Sequence, residues 1–303
     1  MSSPHDVNEH YRKEFCEMPL WKPFVPCWAA SFLLAFTQVP AHAQQGELVA
    51  IGGAVTEIVY ALDQQDRLLA RDTTSTYPKA AQKLPDIGYV HNLSPEAVLS
   101  VAPDLILADA SAGPPEAISL LRAARVNYVT VPQGFDPASV TARVTVVADA
   151  LGVSEIGAVL VERIEDEFLD LSQRTSKEPH LKKRVLFVLR MQNGTVRVAG
   201  SQTPVHHMIT LAGGTNVAAQ VTGCKPMTDE ALIEARPDVI LAASYPDGSR
   251  AVTKEVLKLP VFAHSPAAEN NKIIWLDALS LTGFGPRTAQ IFLDLHRILE
   301  ACE

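Results

Sequence analysis

A sixteen-residue segment occurs twice in this chain of 303 residues. Residues 93–108 (LSPEAVLSVAPDLILA) align without gaps with residues 227–242 (MTDEALIEARPDVILA), 134 positions later, and seven of the aligned residues are identical. In each copy a residue that favours a helix N-cap, Ser94 or Thr228, precedes a short helical pattern, a Pro-Asp turn and an apolar strand. A unit repeated at this distance predicts two lobes of one fold with a cleft between them, where small-molecule sites usually lie.

Short continuous apolar runs in both halves predict strands. They lie at residues 48–51, 104–108 and 128–131, and again at 184–189, 195–199, 238–242 and 272–276. Apolar runs that alternate with helical segments are typical of parallel strands buried on both faces. The sequence therefore predicts an α/β fold of two Rossmann-like lobes with central, mostly parallel sheets and a ligand cleft between the lobes.

The segment between the two halves has almost no strand signal. In residues 137–174 the pattern is interrupted at Gly152, and apolar residues then recur at three- and four-residue steps, which is typical of an amphipathic helix. We predict a long connecting helix that joins the lobes. The predicted division is an N-terminal lobe at 44–137, a connecting helical segment at 138–178 and a C-terminal lobe at 179–303.

The first 43 residues have the composition of a secretory signal peptide. An apolar run at 24–36 follows Lys22 and precedes Ala-His-Ala at 41–43, which fits an A-x-A cleavage site. The run is shorter than the about 20 apolar residues that a membrane-spanning helix needs, so a transmembrane anchor is the weaker interpretation. We predict a signal peptide at 1–43, with Met18 as an alternative start of translation.

Of the four cysteines, two lie in this predicted leader. The other two, Cys224 and Cys302, can pair in an oxidising compartment. Two isolated cysteines so far apart in sequence are more often unpaired, and both alternatives stay open.

The net charge and the absence of known motifs argue against nucleic-acid binding, catalysis and metal binding. The net charge of −8, without a basic run, argues against nucleic acid or an anionic membrane as the main partner. The sequence has no G-x-S-x-G, Walker A, H-E-x-x-H or C-x-x-C motif. The adjacent His206 and His207 would point about 100° apart on a helix and form a poor chelate. We predict no catalysis and no metal site made of protein ligands alone.

A polar loop at residues 71–89 (RDTTSTYPKAAQKLPDIGY) contains four consecutive hydroxyl residues before Tyr77 and Pro78. Functional side chains tend to lie in such loops. From the residues alone, Tyr77 is either a functional residue or a surface tyrosine that packs on its own loop.

Four segments resemble one family, the haem (hemin) ABC-transporter periplasmic substrate-binding proteins, within the vitamin B12 and siderophore type of binding protein. They are TTSTYP at 73–78, LPDIGY at 84–89, KPMT at 225–228 and GFGPRT at 283–288. The resemblance extends in order over residues 47–300. It implies a periplasmic protein, acting as a monomer, that binds haem as its transported ligand and delivers it to an ABC permease dimer in the inner membrane.

The resemblance assigns the axial ligand of the haem iron to Tyr77. Ferric iron is a hard Lewis acid and phenolate is a hard anionic donor, as in catalase. A free phenol titrates near about 10, so a nearby cation is needed to favour phenolate at neutral pH. Lys79, two positions after Tyr77, either supplies that cation, pairs with a haem propionate or is a solvated loop lysine.

The sequence departs from the family at two places. Some relatives supply a histidine ligand from the C-terminal lobe, but residues 190–194 contain none. Where relatives often have an arginine after a C-terminal strand, this chain has a second Tyr-Pro pair at 245–246. We therefore predict that Tyr245 faces the haem from the opposite lobe, as a ligand, a stacking ring or a hydrogen-bonding partner.

The resemblance also implies a docking role for Glu96 and Glu230, which occupy matching positions in the repeat. In the wider group, one acidic residue on each lobe binds arginines of the permease dimer, and Arg–carboxylate pairs fix such a register. The alternative is that both are first-turn glutamates favoured only by the helix dipole.

For Arg287 the sequence favours a structural salt bridge over contact with a propionate. The rival functions are a siderophore or corrinoid binder, a haem chaperone or sensor, and an exported α/β enzyme.

Overall fold

A computed structural model describes residues 46–177, 182–192 and 194–301. The predicted signal peptide and Cys302 lie outside these residues. The elements of the first half are β1 (Leu48–Ile51), α1 (Gly53–Ala61), β2 (Leu68–Arg71), β3 (Gly88–Tyr89), β4 (Asn92–Leu93), α2 (Pro95–Leu99), β5 (Leu105–Asp109), α3 (Pro115–Ala123) and β6 (Asn127–Val131). Two helices follow, α4 (Pro137–Leu151) and α5 (Ser154–Lys177).

The second half contains β7 (Arg184–Gln192), β8 (Thr195–Ala199), α6 (Pro204–Leu211), β9 (Thr215–Asn216), β10 (Cys224–Pro226), α7 (Asp229–Ala235), β11 (Val239–Ser244), α8 (Pro266–Glu269), β12 (Ile273–Asp277), α9 (Ala278–Thr282) and α10 (Thr288–Glu300). No helix in the described ranges is both long and apolar enough to cross a bilayer. Cys224 is exposed and free within the described part of the chain.

The predicted two-lobed α/β architecture is confirmed. The N-terminal sheet has the order β2-β1-β5-β6 and is parallel throughout. The C-terminal sheet has the order β10-β8-β7-β11-β12, with β9 beside β7. The two copies of the repeat form α2–β5 and α7–β11, and each copy supplies an interior strand of its sheet.

The N-caps predicted for the repeat are present in both lobes. The Ser94 hydroxyl accepts a hydrogen bond from the backbone N–H of Ala97, and the Thr228 hydroxyl accepts one from Ala231, each at 3.3 Å. These bonds satisfy N–H groups that a helix start otherwise leaves unpaired.

The C-terminal sheet is mixed rather than parallel throughout. Strand β8 runs antiparallel to both β7 and β10. The reason is the short connection from Gln192 to Thr195, because parallel neighbours need a crossover of a dozen or more residues. Strand β2, which has only four residues, was not predicted from the sequence.

Helices α4 and α5 form the connection between the lobes, and Gly152 separates them with a left-handed φ of 72°. The 24-residue α5 buries Leu160, Ile164, Phe168 and Leu171 of the predicted apolar stripe, whereas Ile156 and Val159, which the spacing also placed there, are exposed. The four buried residues belong to one hydrophobic core that also contains side chains from β1, α1, β7, α6 and α10. The two sheets therefore share an interior through the helices. The domain boundaries given above stay a prediction.

Candidate functional site

A cavity of about 820 Å³ lies where the two halves of the chain meet. Its walls include Gly52 and Asp109, at the carboxyl ends of β1 and β5, and Tyr245 and Asp277, at the carboxyl ends of β11 and β12. Open α/β sheets bind ligands at this end of their strands. The volume falls within the range of about 300–1,000 Å³ that is usual for small-molecule sites.

Asp72 organises the threonine-rich loop beside this cavity. Its fully buried carboxylate accepts hydrogen bonds from the backbone N–H groups of Gly52 (2.8 Å) and Thr74 (2.9 Å). It also accepts bonds from the hydroxyls of Thr74 and Ser75, each at 2.6 Å. Two of the four hydroxyl residues noted in the sequence therefore hold the loop in place, while Thr73, Thr74 and Thr76 also line the cavity.

The Tyr77 ring is 41% exposed and contacts Arg287, whose Cζ lies 3.4 Å from the ring centroid. Tyr77 is outside the set of residues that line the cavity, although its neighbour Thr76 belongs to that set. No hydrogen bond to the Tyr77 hydroxyl is found among the described residues. Lys79 is exposed and lies outside the cavity lining.

Arg287 forms the structural salt bridge that the sequence favoured. Its Nε and Nη2 donate to the two carboxylate oxygens of Glu57 at 3.0 and 2.9 Å, and its backbone N–H donates to Oε1 at 3.1 Å. The Glu57 side chain is 7% exposed and the Arg287 side chain 31%. The pair joins α1 of the N-terminal lobe to the segment that precedes α10.

Arg143 in α4 reinforces the same junction. Its buried guanidinium donates to the carbonyl oxygens of Gly283 (2.7 Å), Phe284 (2.9 Å) and Pro132 (2.8 Å). Burial lowers the pKa of Arg143, and the nearby Asp109 carboxylate opposes that effect. Arg143 was not predicted from the sequence. The one feature that could have indicated it is the position of an arginine on the apolar side of α4.

Tyr245 reaches the cavity wall from the C-terminal lobe and is 42% exposed. It begins a turn in which its backbone N–H donates to the carbonyl of Ser249 at 2.9 Å. Hydrogen bonds from the side chain of Ser249 and from its backbone N–H, the latter at 2.8 Å, lower the pKa of Asp247. Tyr77 and Tyr245 are therefore not brought together on the wall of this cavity.

His91 also lines the cavity, from the short connection between β3 and β4. Its Nδ1 lies 2.9 Å from the carbonyl oxygen of Ser111. The Tyr89 ring contacts its ring edge-on, with centroids 5.1 Å apart. Nothing in the local sequence distinguishes His91 from a solvated histidine.

The cavity wall carries more carboxylates than cations. Arg71 pairs with Asp86 at 2.8 Å, and Asp277 accepts from the Ser280 N–H at 3.0 Å. Asp109 accepts from the Ser111 N–H at 2.8 Å. Each of these acidic groups thus has an internal partner, as has Asp247.

Glu96 and Glu230 are exposed in the first turns of α2 and α7. Glu96 accepts a hydrogen bond from the Ser94 hydroxyl at 2.6 Å, which lowers the pKa of Glu96. The two glutamates occupy matching positions on the two lobes, as the repeat predicted.

A family model for periplasmic binding proteins matches residues 48–279. The chain belongs to this periplasmic binding protein family. Among solved structures, the chain is similar to the periplasmic haem-binding protein BhuT in complex with two haems, with 38% identity and a TM-score of 0.79, and the match covers 85% of this chain and 98% of that one. The haem-binding protein RhuT from Roseiflexus sp. RS-1, in apo form, is 34% identical with a TM-score of 0.79, and covers 85% and 99%.

A curated relative of this periplasmic binding protein is an uncharacterised ABC transporter substrate-binding lipoprotein of Bacillus subtilis (strain 168). It is 27% identical over 243 residues, which are 80% of this chain and 76% of the relative.

Proposed function

We propose that this periplasmic binding protein captures haem and delivers it to an ABC-type permease for import. The similarity to two haem-binding periplasmic proteins over most of both chains carries the proposal. The cleft supports it, because the cavity is large, opens at the carboxyl ends of strands from both lobes and is lined by aromatic and small polar side chains. Capture and delivery need no covalent step, so no residue is assigned a catalytic role.

We assign the axial iron ligand to Tyr77. Its phenol is exposed, has no hydrogen-bonding partner in the described part of the chain and stands on a loop held by the buried Asp72. Arg287 covers one face of the ring, and phenolate oxygen is an established ligand of ferric haem iron.

Two further residues complete the proposed haem site. Lys79 is an exposed cation two positions from Tyr77 and suits a haem propionate. Tyr245 stands on the C-terminal wall of the cavity, where it offers a ring for stacking and a hydroxyl for ligation or hydrogen bonding.

The proposal of a permease partner depends on two glutamates. Glu96 and Glu230 project from matching helices, so one monomer of this chain can pair one glutamate with each of two arginine clusters on a two-fold symmetric permease. A periplasmic location, reached through cleavage of a signal peptide at 1–43, agrees with the family.

Hemin titration of the mature protein tests the haem assignment. The wild type should give a Soret band with saturable binding. Tyr77→Phe, which keeps the ring against Arg287 and removes only the hydroxyl, should lose the ligand spectrum and weaken binding. Tyr128→Phe is the matched control, since Tyr128 stacks on Arg122 away from the cavity and its loss should leave the spectrum unchanged. A wild-type spectrum for Tyr77→Phe would contradict the assignment.

A corrinoid or siderophore is the alternative ligand, and one observation favours it. The cavity wall has more acidic than basic groups. Its carboxylates are those of Asp86, Asp109, Asp247 and Asp277, and its guanidiniums are those of Arg71 and Arg143. A ligand with fewer anionic groups than haem would meet less repulsion there. Competition of cyanocobalamin or a ferric siderophore against hemin separates these ligands.

A further inference from the structure

The side-chain amide of Asn216, in β9, is fixed in one orientation by the backbone around it. Its Nδ2 lies 3.0 Å from the carbonyl oxygen of Ala199, and its Oδ1 lies 3.0 Å from the backbone nitrogen of Ala218. A carbonyl oxygen only accepts hydrogen bonds and a backbone N–H only donates them, so the NH₂ group faces Ala199 and the oxygen faces Ala218. Both bonds are buried, and turning the amide over would leave their partners unpaired.

This fixed amide determines the protonation state that suits His206 in α6. Nδ2 of Asn216 also lies 3.3 Å from Nδ1 of His206. Because Nδ2 can only donate, Nδ1 has to accept, which places the proton of the neutral imidazole on Nε2. A second proton, bound at Nδ1, would set two donors against each other. The contact therefore fits only neutral His206. Burial, and after it the neighbouring His207, lower the pKa of His206 in the same direction.

A row of three rings connects His206 to the wall of the cavity. The His206 ring meets the His207 ring edge-on, with centroids 5.5 Å apart. His207 packs in turn on Phe135, with centroids 5.8 Å apart. Phe135 lies just before α4 and lines the cavity, as does Pro204, the first residue of α6. The rings therefore join α6 of the C-terminal half to the N-terminal wall of the cavity.

The elements packed on α6 bring few charges to this pair of histidines. Helix α9 and strand β9 have no titratable side chain, and α5 meets α6 through apolar core residues. Helix α10 supplies His296 at the far end of α6, where it lies 3.1 Å from Glu300. Asp136, before α4, faces His207, but Ser139 already binds its carboxylate. In the described residues the charge that acts on His206 is that of His207, which opposes protonation.

We propose that His206 is a pH-sensitive switch at the junction of the two lobes. When Nδ1 takes up a proton, the hydrogen bond from Asn216 is lost, and the imidazole turns away from a donor that cannot move. This turn displaces His207 from Phe135 and loosens α6 at the cavity wall. A ligand in the cavity is then held less tightly in acid than at neutral pH. The inference goes beyond the proposed function and does not depend on which ligand fills the cavity.

NMR titration of the apo protein, labelled with ¹⁵N at histidine, tests the protonation step. At about pH 8, His206 should carry a proton on Nε2 and none on Nδ1, and its titration midpoint should lie below the usual 6.5. Asn216→Asp should move that midpoint above 6.5, because a carboxylate accepts where the amide donates. A wild-type proton on Nδ1 at about pH 8, or a wild-type midpoint at or above 6.5, would overturn the proposal.

Hemin titration at two pH values tests the effect on the cavity. Between about pH 8 and about pH 5, the Kd of the wild type should rise roughly threefold or more beyond the rise for His206→Asn. Asparagine can accept from Asn216 through its Oδ1 but does not titrate. His264→Asn is the matched control and should follow the wild type, because His264 is exposed and lies outside the cavity lining. Parallel profiles for the wild type and His206→Asn would contradict the switch.

Urea unfolding of the apo proteins keeps the test independent of haem. A group whose pKa is lowered on folding stabilises the fold above its unfolded value and loses that effect as the pH falls. The urea midpoint of the wild type should therefore fall more in acid than that of His206→Asn, and equal falls would overturn the proposal. A wild type that binds no hemin would contradict the proposed function, and the unfolding and NMR measurements would still decide the switch.

Discussion

The guanidinium of Arg287 lies over the ring of Tyr77, with Cζ 3.4 Å from the ring centroid. Arg287 cannot move freely, because Glu57 binds it through three hydrogen bonds from a nearly buried position. Through this contact Arg287 holds the ring of Tyr77, the proposed iron ligand. We therefore expect the contacts among Glu57, Arg287 and Tyr77 to affect both the stability of the fold and the binding of haem.

Arg287→Leu should destabilise the protein and disturb the haem spectrum together. The substitution leaves the Glu57 carboxylate buried and unpaired, and we expect a loss of about 1–3 kcal/mol in the free energy of unfolding, since Arg287 is partly exposed. Urea unfolding measures this loss. Arg297→Leu is the control, because the exposed Arg297–Asp294 pair should contribute close to nothing. Equal midpoints for the two variants would contradict the structural role of Arg287.

Arg143→Met should be more destabilising than its volume change suggests. It leaves the carbonyls of Pro132, Gly283 and Phe284 without their donor in a buried site, and we expect about 3 kcal/mol. Thermal unfolding measures the loss. Arg122→Met, which removes an exposed hydrogen bond to Thr130, should stay within about 0.5 kcal/mol of the wild type.

Asp136 should make the free energy of unfolding fall as the pH becomes acidic. Its carboxylate accepts hydrogen bonds from the hydroxyl and then from the backbone N–H of Ser139 at the start of α4, and both lower the pKa of Asp136. A lowered folded-state pKa means that the stabilisation is fully present above the unfolded value of 3.8 and is lost as pH falls through the folded value. We expect Asp136→Ala to cost about 1 kcal/mol at pH 7, with a smaller difference at pH 3. A constant difference across this range would contradict the prediction.

Replacing both Glu96 and Glu230 by alanine should abolish haem uptake while leaving hemin affinity unchanged. Both side chains are exposed and lie outside the cavity lining, so their loss removes a docking contact and not a ligand contact. Growth on haem as the sole iron source and hemin titration in vitro provide the two measurements. Glu116→Ala with Glu155→Ala is the matched control, because both are exposed first-turn glutamates outside the repeat. Normal uptake by the Glu96/Glu230 variant would remove the docking role.

Tyr245→Phe distinguishes the possible contributions of Tyr245. If its hydroxyl ligates iron or donates a hydrogen bond, the spectrum and affinity of the hemin complex should change. An unchanged complex would leave ring stacking, which Tyr245→Ala should then weaken by about 1 kcal/mol.

Local patterns made the lobes predictable. The repeat, its N-caps at Ser94 and Thr228 and the apolar runs are properties of neighbouring residues, and each leads directly to a helix or strand. The mixed order of the C-terminal sheet was less visible, because β8 has the same apolar composition as a parallel strand and only the short loop before it sets its direction.

The sequence pointed to the candidate site only through the resemblance of its segments to a family, and the roles given to Tyr77 and Lys79 stay predictions. Glu57 and Arg287 are 230 positions apart, and neither residue is unusual among its sequence neighbours. Asp72 reads as a loop aspartate, yet it is fully buried and receives four hydrogen bonds. Contacts of this kind depend on how the lobes pack, and the sequence pattern carries no record of that packing.

The core that extends from β1 through α5 to α10 has a consequence for how this chain can be divided. The chain contains two copies of one repeated segment, but this core is made of side chains from both halves of the chain. A fragment ending after α5 would expose the face of that helix which α10 and α6 cover, and the complementary fragment would lack α5 altogether. We therefore expect the two halves to unfold together rather than as separate domains.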